Sequence, residues 1–182
     1  MFRMRPAVSG DRAAVERMIL ARCAWMEQRG LPSWRENAAE LASQCDNPFG
    51  DTWVLERDGR VAGVTAVQEQ GPPWGWTEEE RAESALYLNT SVTDPALRHL
   101  RPGTLMAWWA VDRAAREGRA WVRRDCLWPG LVRYYEEQGF TLIHEVERGA
   151  YRLFMLGRRA ERIESLDEWF RRGRPRLPDA GR

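Results

Sequence analysis

Ala85-Leu86-Tyr87-Leu88-Asn89-Thr90-Ser91-Val92, then Arg98-His99-Leu100-Arg101-Pro102-Gly103-Thr104, then Pro129-Gly130-Leu131-Val132-Arg133-Tyr134-Tyr135-Glu136-Glu137-Gln138-Gly139-Phe140: these segments decide how the chain folds. The first is an apolar run with the length and residue types of a buried strand. The second is a Pro-Gly turn that opens a helix, and Gly118 gives that helix its stop signal. A further strand and a second helix complete the unit. Strand, tight loop and helix N-terminus together build an anion site. A helix begins with unbonded N–H groups, and its dipole favours negative charge there.

Outward from this unit, residues 2–7 read as a first strand. Ser9, Gly10 and Asp11 signal a helix start, with Ser9 or Asp11 as cap. Val15, Met18, Ile19, Cys23 and Met26 follow at helical spacing, and Arg22 sits at the edge of that stripe. A second, shorter helix spans residues 36–44. Residues 52–56 and 61–67 form a hairpin around Asp58-Gly59. Residues 70–83 form a loop with Gly71-Pro72-Pro73, Trp74 and Trp76, and Glu78 to Glu80 mark a solvated helix start. Residues 140–146 and 151–156 pair around Arg148-Gly149, and Ser165-Leu166-Asp167-Glu168 is a capping box opening a last short helix. The Arg- and Pro-rich end after Gly173 is expected to fray. The order β-α-α-β-β-β-α-β-α-β-β joins a hairpin to a βαβ unit, which implies an α/β fold with a mixed sheet and helices on both faces.

The 28 basic and 27 acidic residues leave a net charge of +1, which argues against a nucleic-acid or membrane footprint. Every basic residue is Arg, so Schiff-base chemistry on Lys is excluded. Cys23, Cys45 and Cys126 are odd in number and form no metal-binding pattern; His99 and His144 lie far apart in sequence. No metal is expected. The run from Leu105 to Val111 is too short to span a bilayer, the first residues carry no apolar signal core, and the expected location is cytoplasmic.

With these residues laid out, the chain resembles the GNAT N-acetyltransferase superfamily. The family's acetyl-CoA loop, Gln/Arg-x-x-Gly-x-Gly/Ala, is matched by Arg98-His99-Leu100-Arg101-Pro102-Gly103, and its Tyr-x-x-x-Gly-Phe by Tyr135 to Phe140. The resemblance implies a single-domain, three-layer α-β-α sandwich with a mixed sheet of about seven strands. It places this domain at residues 1–158, with a short helix and an Arg/Pro-rich tail at 159–182. It also implies transfer of an acetyl group from acetyl-CoA to an amine. The pyrophosphate would rest on Arg98, His99, Leu100, Arg101, Gly103 and Thr104. Val92 would offer backbone groups to the pantetheine arm and the oxyanion. Two departures stand out: Arg101 replaces the first loop glycine, and Pro102 removes an N–H donor. Trp128 stands where many members have an Asn that bonds the pantetheine arm.

By the same resemblance, Tyr135 is the acid for the departing thiolate. Glu69 is the candidate base, beside Glu83, Tyr87, Asp94 or a water chain. Trp74, Trp76 and Tyr87 are candidates for the acceptor site; the bland reading of the tryptophans is a loop folded on its own aromatics. A small-molecule amine is the expected acceptor. The alternatives are a protein or aminoacyl-tRNA amine, or a non-catalytic acyl-CoA-binding module. The tryptophan-rich surface is a candidate homodimer interface.

Overall fold

Asp58 and Gly59 turn the chain with φ of 49° and 82°, the two left-handed residues that a two-residue hairpin needs. They join β2 (Thr52–Arg57) to β3 (Arg60–Gln68). In the computed structural model, which describes residues 1–47 and 49–172, this hairpin is part of one mixed sheet of seven strands. Its order is β1-β2-β3-β4-β5-β7-β6. The other strands are β1 (Phe2–Pro6), β4 (Ala85–Thr93), β5 (Trp121–Cys126), β6 (Thr141–Arg148) and β7 (Tyr151–Arg159). The helices are α1 (Arg12–Glu27), α2 (Ala38–Ser43), α3 (Glu78–Ala82), α4 (Pro102–Arg116), α5 (Pro129–Glu136) and α6 (Leu166–Arg172). The chain packs as two compact units. One holds Met1–Val67, Thr90–Met106 and α6; the other holds Gln68–Asn89 and Ala107–Glu164.

The first unit has three layers. Val15, Met18, Ile19 and Cys23 of α1 are buried, as their spacing predicts. With Ala38 and Ala42 of α2 they cover Val54, Val64 and Val92. The opposite sheet face carries Phe2, Leu55 and Ala62, which meet Leu105 and Met106 of α4 and Trp169 and Phe170 of α6. Consecutive Val54 and Leu55 therefore serve opposite layers. On β3 the alternation breaks, because the register shifts at Leu55/Glu56. Val61 packs with α1, as Val64 does, while Ala62 joins the other layer.

Asp11 does not cap α1 with its side chain. Its carboxylate accepts the Val8 N–H at 2.9 Å and bonds from Nη1 and Nη2 of Arg5 at 2.7 and 2.8 Å. Arg5 Nε also bonds Glu56 at 2.8 Å. One arginine thus ties β1, β2 and the turn before α1, and it holds the Asp11 carboxyl well below its usual range.

In the second unit β5 pairs parallel to β4 through Ala85↔Trp121, Leu86↔Val122 and Tyr87↔Arg123, and the pairing stops there. β5 then pairs antiparallel with β7, and β7 with β6. The indole N–H of buried Trp108 donates to the Gln138 carbonyl at 3.0 Å. The helix expected over residues 36–44 is a 3₁₀ turn, Arg35–Asn37, followed by the short α2. The segment expected to be a loop contains α3, capped reciprocally by Thr77 and Glu80. Among the described residues no helix is long and apolar enough to cross a membrane. The Arg- and Pro-rich segment beyond Arg172 lies outside the described residues.

Candidate functional site

The loop between β4 and α4 belongs to the first unit. Val92 is buried near the end of β4. The Asp94 carboxylate accepts the Ala96 N–H at 2.9 Å and starts a 3₁₀ turn, Pro95–Leu100. Arg98 and His99 are exposed on that turn, whereas Leu100 faces the core. Arg101 closes the turn at φ 54°. This arginine thus adopts a left-handed conformation, at a cost of about 1 kcal/mol. Pro102 fills the first position of α4, where its missing N–H costs the helix nothing. The Thr104 and Leu105 N–H groups bond back to the Arg101 carbonyl at 3.0 and 3.2 Å. Gly103 is therefore the first residue of α4 with an N–H to offer.

Arg22 clamps the end of β4. Its Nε donates to the Thr93 carbonyl at 3.0 Å and its Nη2 to the Thr93 hydroxyl at 2.7 Å. Within β4, Thr90 sits at φ 38°, a rare conformation for a β-branched residue, and accepts a long bond from Gln44 at 3.4 Å. Neither feature is visible in the sequence, where Arg22 reads as the edge of an apolar stripe.

Where the β4–β5 ladder stops, in the second unit, the Tyr87 hydroxyl donates to the Asp125 carboxylate. Burial, reinforced by Asp125, pushes the Tyr87 phenol above its ordinary pKa. Trp76 stands edge-on to Tyr87 and to His144, with centroids at 6.4 and 5.5 Å. The Arg123 guanidinium lies 4.8 Å over the Trp76 ring and bonds Glu83 at 2.9 Å. Trp76, Tyr87, Arg123, Glu69 and Glu83 line a pocket of about 320 Å³. Gly71 is required beside it, since a Cβ there would lie 2.6 Å from the Tyr87 ring. Glu69 is exposed and ion-paired with Arg119 at 2.5 Å. Trp74 points elsewhere, to Arg148.

Tyr135 is fixed by the end of α5. The Phe140 N–H bonds the Tyr135 carbonyl at 3.1 Å, the Gly139 N–H bonds the Glu136 carbonyl at 2.9 Å, and Gly139 takes φ 87°. This is the Schellman cap, and its usual apolar contact is the Tyr135–Phe140 ring pair at 6.3 Å. The Tyr-x-x-x-Gly-Phe pattern thus has a physical meaning: tyrosine supplies the cap's acceptor carbonyl, glycine its left-handed residue and phenylalanine its apolar lid. α4 ends the same way, with Arg119 N–H on the Ala114 carbonyl at 2.8 Å and Gly118 at φ 70°.

The Tyr135 side chain is buried beside Arg124, whose Nη2 donates to the phenol oxygen at 3.0 Å. Burial raises the Tyr135 pKa, and the Arg124 charge opposes that rise. Burial also pushes the neighbouring Cys126 thiol up to about 11. Trp128 is half exposed, and its carbonyl accepts the Leu131 N–H at 2.9 Å to start α5. Among the predicted residues, then, Trp76, Tyr87 and Glu69 come together at one pocket. Arg98 to Thr104 form one loop–helix junction. Arg22 reads in the sequence only as the edge of a stripe, and Arg123, Arg124 and Asp125 are not among the predicted residues. The signal for the last three was Arg123-Arg124-Asp125 inside a strand flanked by Val122 and Cys126, since charges are rarely buried without a task. Among the described residues no cluster of His, Cys, Asp and Glu suits a metal ion.

Fold and comparisons together define the family, whose members are acyltransferases. Residues 19–140 match the model of the Acetyltransferase (GNAT) family, and the chain belongs to that family. No curated protein matches it in sequence. Among solved structures it is similar to a GNAT-family acetyltransferase from Listeria monocytogenes, with TM-score 0.67 and 17% identity over 87% of this chain and 94% of that one. It is also similar to the Drosophila melanogaster polyamine N-acetyltransferase that forms N-acetylagmatine, with TM-score 0.61 and 15% identity over 87% of this chain and 100% of that one. A third is N-acetylglutamate synthase from Neisseria gonorrhoeae, solved with coenzyme A and N-acetyl-glutamate. There the TM-score is 0.56 and the identity 19%, over 89% of this chain and 36% of that one.

Proposed function

We propose that this protein acetylates a primary amine of a small molecule, using acetyl-CoA as donor and Tyr135 as general acid. The observation that carries the reading is the placement of Tyr135, whose backbone is locked by the helix cap and whose phenol is held by Arg124. Bound acetyl-CoA supplies an activated acyl group on a thiol leaving group. The chain's residues then divide the work. Arg98, His99 and Arg101 present cationic or polar side chains to the phosphates, and the Gly103 N–H at the start of α4 adds a backbone donor. Those residues suit a pyrophosphate even with Pro102 in the loop, because arginine replaces part of the lost backbone donation. Val92 and its neighbours offer backbone N–H groups to the pantetheine arm and to the developing oxyanion. Tyr135 delivers a proton to the departing sulfur.

The acceptor is assigned to the pocket of Trp76 and Tyr87. Glu69, Glu78 and Glu83 outnumber Arg81 and Arg123 in its lining, which favours a cationic amine. The Drosophila enzyme forms N-acetylagmatine, the acetylated form of such an amine. Glu69, or water beside it, removes the proton of the attacking amine.

Titration calorimetry with acetyl-CoA, followed by thiol release over agmatine, spermidine, amino acids and an N-terminal peptide, tests the proposal. Thiol release with a cationic small amine is the expected result. Tight binding without release on any amine would make the chain an acyl-CoA-binding module. Turnover confined to the peptide would move the acceptor to proteins, and absence of binding would overturn both readings.

A further inference from the structure

Arg124 lies on β5 with 5% of its surface exposed. A guanidinium so deeply buried ordinarily brings a carboxylate with it, since an unpaired buried charge is costly. None pairs with Arg124 among the described residues. Its Nη2 bonds the Tyr135 oxygen at 3.0 Å. Its central carbon stands 3.6 Å from the Tyr135 ring centroid and 5.8 Å from that of Phe140. Its Nε is buried and has no partner among the described residues. Among the described residues the cation is therefore met by aromatic faces and by one neutral phenol, with no carboxylate.

We propose that Arg124 is a positioning residue that orients the Tyr135 phenol and takes up the negative charge left on its oxygen when the proton departs. The inference rests on Tyr135 acting as the acid. A phenol has one proton and accepts at its oxygen. With Arg124 donating into that oxygen, the O–H is directed away from the guanidinium, and no acceptor among the described residues takes it. In the step itself the carbon–sulfur bond breaks and its electron pair goes to sulfur. The Tyr135 proton moves to that sulfur, completing the thiol. The phenolate stays beside Arg124 and takes a proton from solvent to reset.

The chemistry explains why a cation is needed. Transfer from a phenol of pKa about 10 to a thiolate whose conjugate acid has pKa about 8.5 runs roughly thirtyfold uphill. Burial of Tyr135 steepens that slope. Asp125 and Cys126 on β5 and Tyr134 on the same helix also oppose ionisation, whereas Arg124 favours it; Phe140, in ring contact with Tyr135, is uncharged. A buried cation matched only when the phenol turns negative is worth more after proton transfer than before it, which is the condition for catalysis.

Three variants test this: Y135F, R124M and R124K. Tyrosinate absorbance is titrated without substrates, and the difference between parent and Y135F isolates the Tyr135 signal. In R124M, Tyr135 should ionise about one pH unit or more higher, and R124K should recover part of that shift. With acetyl-CoA and the fastest amine of the panel, R124M should lower kcat about ten- to a hundredfold. Its KM for acetyl-CoA should change much less, and R124K should regain activity. An unchanged Tyr135 titration in R124M overturns the proposal, as does an equal loss in KM and kcat. Full turnover in Y135F removes the acid itself and the proposal with it. Impaired Y135F beside unimpaired R124M removes only the role of Arg124. Should R124M not fold, R124Q takes its place with the same expectations.

Discussion

Replacing Gly139 by alanine tests whether the end of α5 sets the position of Tyr135. Gly139 sits at φ 87°, where a residue with a Cβ costs about 1–2 kcal/mol. The new Cβ would stand 3.0 Å from the Arg158 guanidinium. Arg158 is held there by bonds to the Gln138 carbonyl and to Glu161, and yielding weakens one of them by a further fraction of a kcal/mol. The total is about 2 kcal/mol, which for a chain of this length lowers Tm by about 4–8 °C. The substitution also strains the bond from Phe140 N–H to the Tyr135 carbonyl. Thiol release measured well below Tm should therefore fall as well. Differential scanning calorimetry at a fixed acetyl-CoA concentration gives the first number, and steady-state turnover the second. A Tm within about one degree of the parent refutes the strain argument. A lowered Tm with full turnover refutes the link between the cap and the acid.

Arg101→Gly removes the left-handed penalty at φ 54° and should raise Tm by about 2–4 °C; a lower Tm would show that the arginine side chain contributes more than its backbone costs. Asp11→Asn should cost about 2 kcal/mol at neutral pH by leaving Arg5 half-paired. The Asp11 carboxyl is held below its usual range, chiefly by the Arg5 bonds. Its contribution is therefore complete above an unfolded pKa of about 3.9. It is lost as pH falls from there through the depressed value. Denaturant midpoints measured against pH should accordingly fall less steeply on the acid side in the variant, and parallel curves would contradict the assignment. Tyr87→Phe leaves Asp125 without its phenol donor. It should raise the KM of the amine several-fold while leaving that of acetyl-CoA unchanged; the opposite split would detach Tyr87 from the acceptor pocket.

Local signals carried much of the architecture. Asp58-Gly59, Gly118 and Gly139 each mark a left-handed turn that few other residues adopt cheaply, so the hairpin and the end of α4 were readable from local sequence, and the end of α5 from the family's Tyr-x-x-x-Gly-Phe pattern. The strand order was not: nothing within β7 says that it inserts between β5 and β6, because that choice rests on side chains distant in sequence. α3 was half legible, its acidic run seen as a helix start while the surrounding segment read as loop. At the site, types were readable and partners were not. Tyr135 stood out through the resemblance to the family's Tyr-x-x-x-Gly-Phe pattern. Arg124 gave only an unusual charge in a strand, since its meaning depends on a ring eleven residues away. Arg22 looked like a flaw in an amphipathic stripe, and only the fold brings it to the Thr93 carbonyl.

The pocket beside Tyr87 has two kinds of wall. Gly71, Trp76 and Tyr87 interlock so closely that a single added methyl would collide, and change there endangers the fold. Glu69, Glu78 and Arg81 are surface charges whose replacement costs little stability, whereas Glu83 holds the buried Arg123 guanidinium. Charge preference can therefore drift, by mutation or by design, while shape stays put. Under the proposed function, a lineage could shift the pocket's preference among amines of similar size by exchanging exposed acids on and around one short helix, without first acquiring stabilising changes elsewhere.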